Sequence, residues 1–199
     1  PTHTTGTYTA STPLVNGADQ TGSTISTDGW ASGAATLNKG DVFTIAGVNS
    51  VNPLSYSSSG RLQQFVVTAT TSDSSGAMAT LPISPSIITS GALQTVSASP
   101  DNNAVITVLG TTAAAGGTLA TTASPQSFVY HPDAFAFVMA DLMKPGAGAE
   151  STTVRSKSLG FSIRMVEQYQ IGTDQNPSRL DILIGATTIQ ARLAARVWG

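Results

Sequence analysis

The clearest hydrophobic pattern of the chain lies between residues 159 and 185. Apolar side chains recur there at every second position, first from Phe161 to Ile171 and again from Leu180 to Ile184. A period of two places one set of side chains on one face of a strand. Turn-forming residues separate the two runs. The pattern therefore predicts a long antiparallel hairpin whose apolar face closes a core.

The register of this hairpin follows from a turn centred on residues 174–175. Such a turn places Tyr169 opposite Leu180. It also places Met165 opposite Ile184, so that apolar side chains meet across the two strands. Because a slip of one residue would turn one set to solvent, the pattern specifies which side chains share a face.

Charged side chains occupy both faces of the predicted hairpin. Glu167 shares the apolar face, where an unpaired carboxylate is costly, so we expect it to reach an arginine, a sheet edge or a neighbouring subunit. Arg164, Arg179 and Asp181 belong to the polar face, and Arg155 lies shortly before it. A polar face of this kind is either solvated or holds inter-subunit ion pairs. The residues alone leave these two interpretations evenly balanced.

A series of shorter strand signals runs from residue 37 to residue 110. The predicted strands cover 41–51, 61–70, 77–83, 92–98 and 104–109. Short strands separated by turn residues are typical of a small barrel or sandwich. Its predicted core consists of Phe43, Ile45, Phe65, Val67, Ile106 and Val108.

One helix is predicted, over residues 132–143. His131 takes the N-cap position and Pro132 the first helical position, where its missing N–H costs nothing. Apolar side chains follow at i, i+3, i+4 and i+7, namely Phe135, Val138, Met139 and Leu142. The segment 1–36 is rich in Thr, Ser and Gly and is predicted to be an extended arm or loop, with Trp30 packing on the barrel.

Composition and charge narrow the possible functions. Only 10% of the 199 residues are charged, against about a quarter in ordinary soluble domains. Residues 1–143 carry two basic and seven acidic side chains, whereas residues 144–199 carry seven basic and four acidic ones. This asymmetry favours self-association. The basic residues are scattered singly, which argues against a nucleic-acid surface.

Sequence motifs for catalysis or metal binding are missing. The chain has no cysteine and no HExxH, GxSxG or GxxxxGK[ST] motif. His131 is the best catalytic candidate, but a histidine beside a proline is more often a helix-start residue. The longest apolar run, 134–140, is too short to span a membrane. We therefore predict no enzymatic activity, no cofactor and no metal site.

Four blocks of sequence resemble a known family. They are RLQQFVV (61–67), PISPSIITSGALQTVSASP (82–100), YHPDAFAFVMADL (130–142) and IRMVEQYQIGTDQNPSRLDILIG (163–185). They are similar to the major capsid (coat) proteins of tailed double-stranded-DNA bacteriophages, especially those of short-tailed phages. The resemblance extends through most of 37–199.

The resemblance implies an α+β, β-rich capsid fold that carries an inserted or accessory small β-barrel. The expected organisation is an extended arm at 1–36, the barrel at 37–110, an axial-domain segment at 111–158 with helix 132–143, and a peripheral-domain hairpin with a C-terminal strand at 159–199. The long upstream half of such proteins has no counterpart here. The resemblance thus implies that the chain is the C-terminal half of a coat protein.

The function implied by the resemblance is that of a structural subunit. Coat proteins of this family form hexamers and pentamers of an icosahedral shell around the genome, with scaffolding protein and portal as assembly partners. The expected location is the virion capsid, assembled in the host bacterial cytoplasm, with DNA enclosed without sequence-specific binding and no membrane contact. Inter-subunit contacts are expected at Arg155, Arg164, Glu167, Arg179 and Asp181. A β-rich binding module, such as a tail-fibre or adhesin domain, is the alternative.

Overall fold

The computed structural model describes residues 1–113, 116–146, 148–156 and 160–198. The chain divides into two compact units, Pro1–Gln126 with Trp198–Gly199 and Ser127–Val197, called here the first and the second unit. Strands dominate the described ranges, and the only helices there are two short 3-10 turns. The β-rich part of the predicted fold class is confirmed, whereas no α-helix supports the α+β assignment in those ranges.

Twelve strands begin in the first unit, and the last of them continues into the second. They are β1 (Thr2–Thr4), β2 (Tyr8–Ser11), β3 (Leu14–Val15), β4 (Gly22–Asp28), β5 (Thr36–Leu37), β6 (Val42–Val51), β7 (Ser58–Val67), β8 (Thr71–Ser72), β9 (Met78–Ile87), β10 (Ile106–Val108), β11 (Gly117–Leu119) and β12 (Ala123–Tyr130). Two of the sheets in this unit have two strands each: β2 pairs with β11, and β5 pairs with β8.

The main sheet of the first unit curls into a barrel. Its six strands follow the order β10-β6-β7-β9-β4-β3, and every pair is antiparallel. An isolated bridge between Leu14 and Val105 joins the two ends of this order. The Val15 N–H also donates to the Ala104 carbonyl at 3.0 Å. The outer strands β3 and β10 are thereby connected through backbone hydrogen bonds, which closes the sheet on itself.

The interior of the barrel contains the residues that the strand pattern predicted. All six predicted core residues are buried: Phe43, Ile45, Phe65, Val67, Ile106 and Val108. Trp30 packs against Tyr8 with ring centroids 5.2 Å apart and is buried, as predicted. Its indole N–H donates to the Thr27 hydroxyl at 2.9 Å, so the polar end of the ring is satisfied inside the core.

The prediction of an arm at 1–36 is wrong. Strand β4 from this segment lies inside the barrel sheet and pairs with β9. Ile25 and Thr27 alternate on its buried face. A buried threonine whose hydroxyl is hydrogen-bonded belongs to the core without raising the hydrophobicity of the sequence. The pattern of apolar residues therefore did not predict this strand. The barrel therefore draws on residues outside 37–110.

Two other predictions in this region fail. No strand covers 92–98; the observed pairing there is one bridge between Val96 and Ser50. The small, polar residues and the Gly pair of the segment 111–127 predict a linker or a returning loop, but the segment contributes β11 and the start of β12. Both errors concern short pairings that depend on a distant partner strand and leave little periodicity in the sequence.

The second unit contains six further strand segments and the two 3-10 turns. The strands are β13 (Phe135–Met139), β14 (Glu150–Arg155), β15 (Ser162–Glu167), β16 (Ser178–Asp181), β17 (Ile184–Thr188) and β18 (Ala194–Trp198), the last reaching into the first unit; the 3-10 turns are Pro132–Ala134 and Ala191–Leu193. Strand β13 pairs with β17, and β14-β15-β16 form a sheet. The predicted C-terminal strand is confirmed by β18.

The predicted helix at 132–143 is wrong beyond its first turn. His131 caps a single 3-10 turn, and its Nδ1 accepts from the Asp133 N–H. The chain then extends as β13, whose residues pair with Thr188 through Ile184 on β17. Phe135, Phe137 and Met139 also alternate by two, so the same apolar residues fit a strand. Pairing with β17 selects the strand, with its period of two, over the helix.

A carboxylate organises one loop region of the first unit. Asp73 accepts hydrogen bonds from the backbone N–H groups of Gly33 at 2.7 Å, Ala35 at 2.9 Å and Gly76 at 2.9 Å. Desolvation acts to raise the pKa of Asp73, but these donors favour the charged form more strongly and hold its pKa below the usual value. Asp73 thus ties the loop after β4 to the turn before β9.

We expect this carboxylate to make the first unit sensitive to acid. A depressed pKa contributes stability that is present above the unfolded-state value of about 3.9 and is lost as the pH falls through the lowered pKa. The Asp73→Asn variant should therefore melt below wild type at neutral pH, and the difference should shrink in acid. Thermal unfolding followed from pH 7 downward tests this. Asp101→Asn, at an exposed position, is the control; an equal acid dependence of both variants would contradict the role of Asp73.

Candidate assembly surface

The predicted hairpin exists, with a turn two residues earlier than expected. Met165 pairs with Leu180, and Arg164 pairs with Asp181. The ladder continues to a bridge between Gln170 and Gln175, so the turn spans residues 171–174. The predicted start of the hairpin at residue 159 lies outside the described residues.

This register corrects both predicted pairs. Tyr169 does not face Leu180, and Ile184 pairs with Met139 on β13 instead of with Met165. The turn forms earlier because Asp174 adopts a positive φ of 51°, and its carboxylate accepts a hydrogen bond from the Tyr169 hydroxyl at 2.6 Å. An even shift keeps every side chain on its predicted face but changes its neighbour.

The corrected register brings three predicted site residues together. Asp181 accepts from Arg164 Nη2 at 2.5 Å and pairs with Arg179 Nε at 2.8 Å. Arg164 also donates to the Met143 carbonyl. The hydrogen bonds from Arg164 and then from Arg179 hold the pKa of Asp181 below its usual value. The carboxylate is therefore charged at neutral pH and joins strands β15 and β16.

The two arginines of this group differ in exposure. The Arg164 side chain is 13% exposed and that of Arg179 is 71% exposed. Arg164 is thus committed to contacts within the sheet, whereas Arg179 keeps part of its guanidinium open to solvent. Arg155 is also exposed and lies 4.0 Å from Asp141. An exposed ion pair of that length contributes little to stability.

Glu167 lies on the same face of the hairpin as Met165, as predicted, and no arginine is among its cross-strand neighbours. It is half-buried, and its cross-strand neighbours are Glu150 on β14 and Ser178 on β16. Like charges directly opposite each other on a sheet are unfavourable, so the Glu150–Glu167 pair favours a cation from outside this sheet.

The apolar face of the hairpin is exposed, contrary to the expectation that it closes a core. Met165 and Leu180 lie in one cross-strand row, and Val154 and Ile163 lie two residues further along the same face. All four side chains are exposed. Among the described residues of Ser127–Val197, only Ala134 and Ser162 are buried. These residues therefore enclose little core of their own.

An apolar groove of about 380 Å³ continues this face. Its lining consists of Phe137, Met139, Phe161, Ile163, Ile182 and Ile184. The Phe137 and Phe161 rings meet edge to face at a centroid distance of 5.8 Å. Exposed apolar surface of this extent, with charged groups beside it, is typical of a surface that contacts another protein surface.

His131, the catalytic candidate, and the two aspartates of the hairpin each contact other polar groups. His131 is exposed, and its nearest charged partner is Asp133 at 3.4 Å. Asp174 is engaged by Tyr169, and Asp181 by its two arginines. No group of three or more His, Cys, Asp or Glu side chains that could hold a metal occurs in the described ranges. No helix in those ranges is long and apolar enough to cross a membrane.

Comparison with known proteins decides the family. The model of the family described as P22 coat protein, gene protein 5, matches residues 2–195. The chain belongs to the P22 coat protein family. No curated protein matches it. Among solved structures, the CUS-3 coat protein I-domain is 29% identical; the match covers 51% of this chain and 96% of that one, with a TM-score of 0.36.

This coat protein has a structural role in the phage capsid. That role agrees with an exposed apolar face beside charged side chains, because a shell subunit works through its contact surfaces. Sequence reasoning found Arg164, Arg179 and Asp181 individually but not their mutual contacts, since those depend on the exact turn. It missed Glu150, whose position opposite Glu167 is visible only in the sheet.

We expect the Asp181 group to hold β15 and β16 together. Asp181→Asn removes the charge that both guanidiniums share, so backbone amides in β15 and β16 should exchange with solvent faster than in wild type at pH 7. Hydrogen exchange read by mass spectrometry measures this. Asp174→Asn at the turn is the matched control and should leave β16 protected. Equal exchange in Asp181→Asn and wild type would show that the ion pairs contribute nothing.

Proposed function

We propose that this coat protein is the major capsid protein of a tailed phage and self-assembles into an icosahedral shell. Its subunits form hexamers and pentamers that enclose the double-stranded DNA genome without sequence-specific binding. The observation that carries the proposal is the family match along residues 2–195. The small share of charged residues, 10% of the chain, agrees with a subunit whose surface is largely covered.

The second unit supports an assembling protein for a physical reason. A unit of this size with so few buried side chains gains little from the hydrophobic effect alone. Its apolar face and groove need a cover, and burial of such a face by coat polypeptide in the shell supplies the missing stabilisation. The unit is then stable in the assembled state and only weakly so outside it.

The candidate contact residues divide into two roles. Arg164 and Asp181 stabilise the sheet itself. Arg155, Arg179 and Glu167 face a neighbouring subunit, because they keep exposed or unfavourably placed charge that a partner of opposite sign would compensate. Ion pairs of this kind fix the register of two subunits against each other more than they raise the affinity between them.

Several finer assignments belong to the same proposal. Residues 159–199 belong to the peripheral domain, residues 111–158 to the axial domain, and the barrel is an accessory domain. Scaffolding protein and portal take part in assembly, which takes place in the host bacterial cytoplasm. The low charge of the barrel and its hydroxyl-rich strands agree with a position on the virion.

The size of the native material tests the function directly. We expect light scattering and negative-stain imaging of the purified coat protein to show uniform shells of megadalton mass. A small soluble species that stays monomeric at high concentration with scaffolding protein present would contradict the proposal. Such a species would favour the alternative of a β-rich binding module, and glycan binding by the first unit would then be measured.

A charge reversal tests the proposed contact residues. Arg155→Glu, whose exposed pair with Asp141 contributes little within the subunit, places an anion where a neighbour is expected to offer a carboxylate, so the yield of shells should fall by roughly tenfold or more. Arg192→Glu changes the net charge equally at an exposed 3-10 turn and is the matched control. Equal losses in both variants would mean that net charge, and not a contact at Arg155, governs assembly.

A further inference from the structure

A buried carboxylate near the start of the chain joins three backbone segments. Asp41 lies just before β6 and is buried. His3 Nε2 on β1 lies 2.9 Å from its Oδ1, and the N–H groups of Gly6 and Asn38 donate to its Oδ2 at 3.0 Å and 2.8 Å. A carboxylate only accepts hydrogen bonds, so the imidazole donates. Each donor offsets part of the cost of burying this charge.

The chain is built to bring these donors close. Gly6 is buried, and a Cβ placed there would lie 2.9 Å from Asp41 Oδ2 and closer still to the Thr36 carbonyl oxygen. Only glycine allows this approach of the backbone to the carboxylate. Asn38 adds a second tie, because its side-chain amide donates to the carbonyls of Thr4 and Thr5 at 3.1 Å each.

His3 also contacts the segments at which the chain leaves and returns to the first unit. On β1 it pairs with Ser124 of β12, two residues before the end of the first unit at Gln126. Its ring centroid lies 5.9 Å from that of Trp198, where the chain returns to the unit. One imidazole therefore connects the barrel, through Asp41, to both of these segments.

We propose that the His3–Asp41 pair is a latch that fastens β1 over these two segments and opens while the barrel stays folded. Strand β1 has only three residues, none of them fully buried, and it lies outside the six-stranded barrel. It is held mainly by polar contacts and by its ladder with β12. Segments with few buried apolar contacts open at lower cost than the core. The latch is independent of the proposed capsid function.

Hydrogen exchange on the full chain tests the latch. The reporting amides are Thr5, which donates to Thr122, and Gln126, which donates to Pro1. In His3→Ala both should exchange about tenfold faster or more, because a bond to a charged acceptor is lost. The indole signal of Trp198 in a nitrogen–proton NMR spectrum should shift, while that of Trp30 should not. Amides in β6 and β7 should keep their wild-type protection.

Two further variants distinguish the latch from a general loss of stability. His3→Gln retains a donor at the end of its side chain, so its exchange rates should fall between those of wild type and His3→Ala. His131→Ala, at the other and exposed histidine, is the matched control and should match wild type. Changes below about twofold at Thr5 and Gln126 would overturn the proposal. So would acceleration of the β6 and β7 amides by the same factor, which would mark His3 as part of the core unit.

Discussion

Closure of the barrel is the constraint on which the first unit depends. A sheet with a free edge leaves backbone N–H and C=O groups without partners, and burying them is costly. The short strand β3 removes this cost by bridging to Val105 at the far side of the sheet. Once the ends meet, one continuous ladder encloses the apolar core that contains Phe43 and Phe65. The loops, the carboxylate ties and β1 are arranged around this closed ladder.

Charged residues are few in this protein, and several of the carboxylates that are not fully exposed hold backbone segments together. Asp41 and Asp73 collect donors from segments far apart in the sequence. Asp181 does the same between two strands with guanidinium groups instead of backbone amides. Each of these carboxylates accepts hydrogen bonds from several donors and so acts as a structural tie.

The two units differ in how they are stabilised. The first unit encloses a large apolar core, whereas the described residues of the second unit leave their apolar side chains exposed on one face of the β14-β15-β16 sheet and along the adjoining groove. For a coat protein this difference has a direct physical meaning. A barrel with its own core is stable without a partner, whereas a sheet without one depends for its stability on whatever covers its apolar face.

The sequence alone determined which side chains share a face and which form the barrel core, because both follow from a local period of two. It also determined the family, through the blocks around residues 61–67 and 163–185. Only the tertiary structure decided whether residues 135–139 form a helix or a strand, because their apolar spacing fits both and pairing with β17 selects one. It also decided that β4 belongs to the barrel and that the hairpin turn lies at residues 171–174. Pairing partners are not local, so the pattern of a single strand cannot specify them.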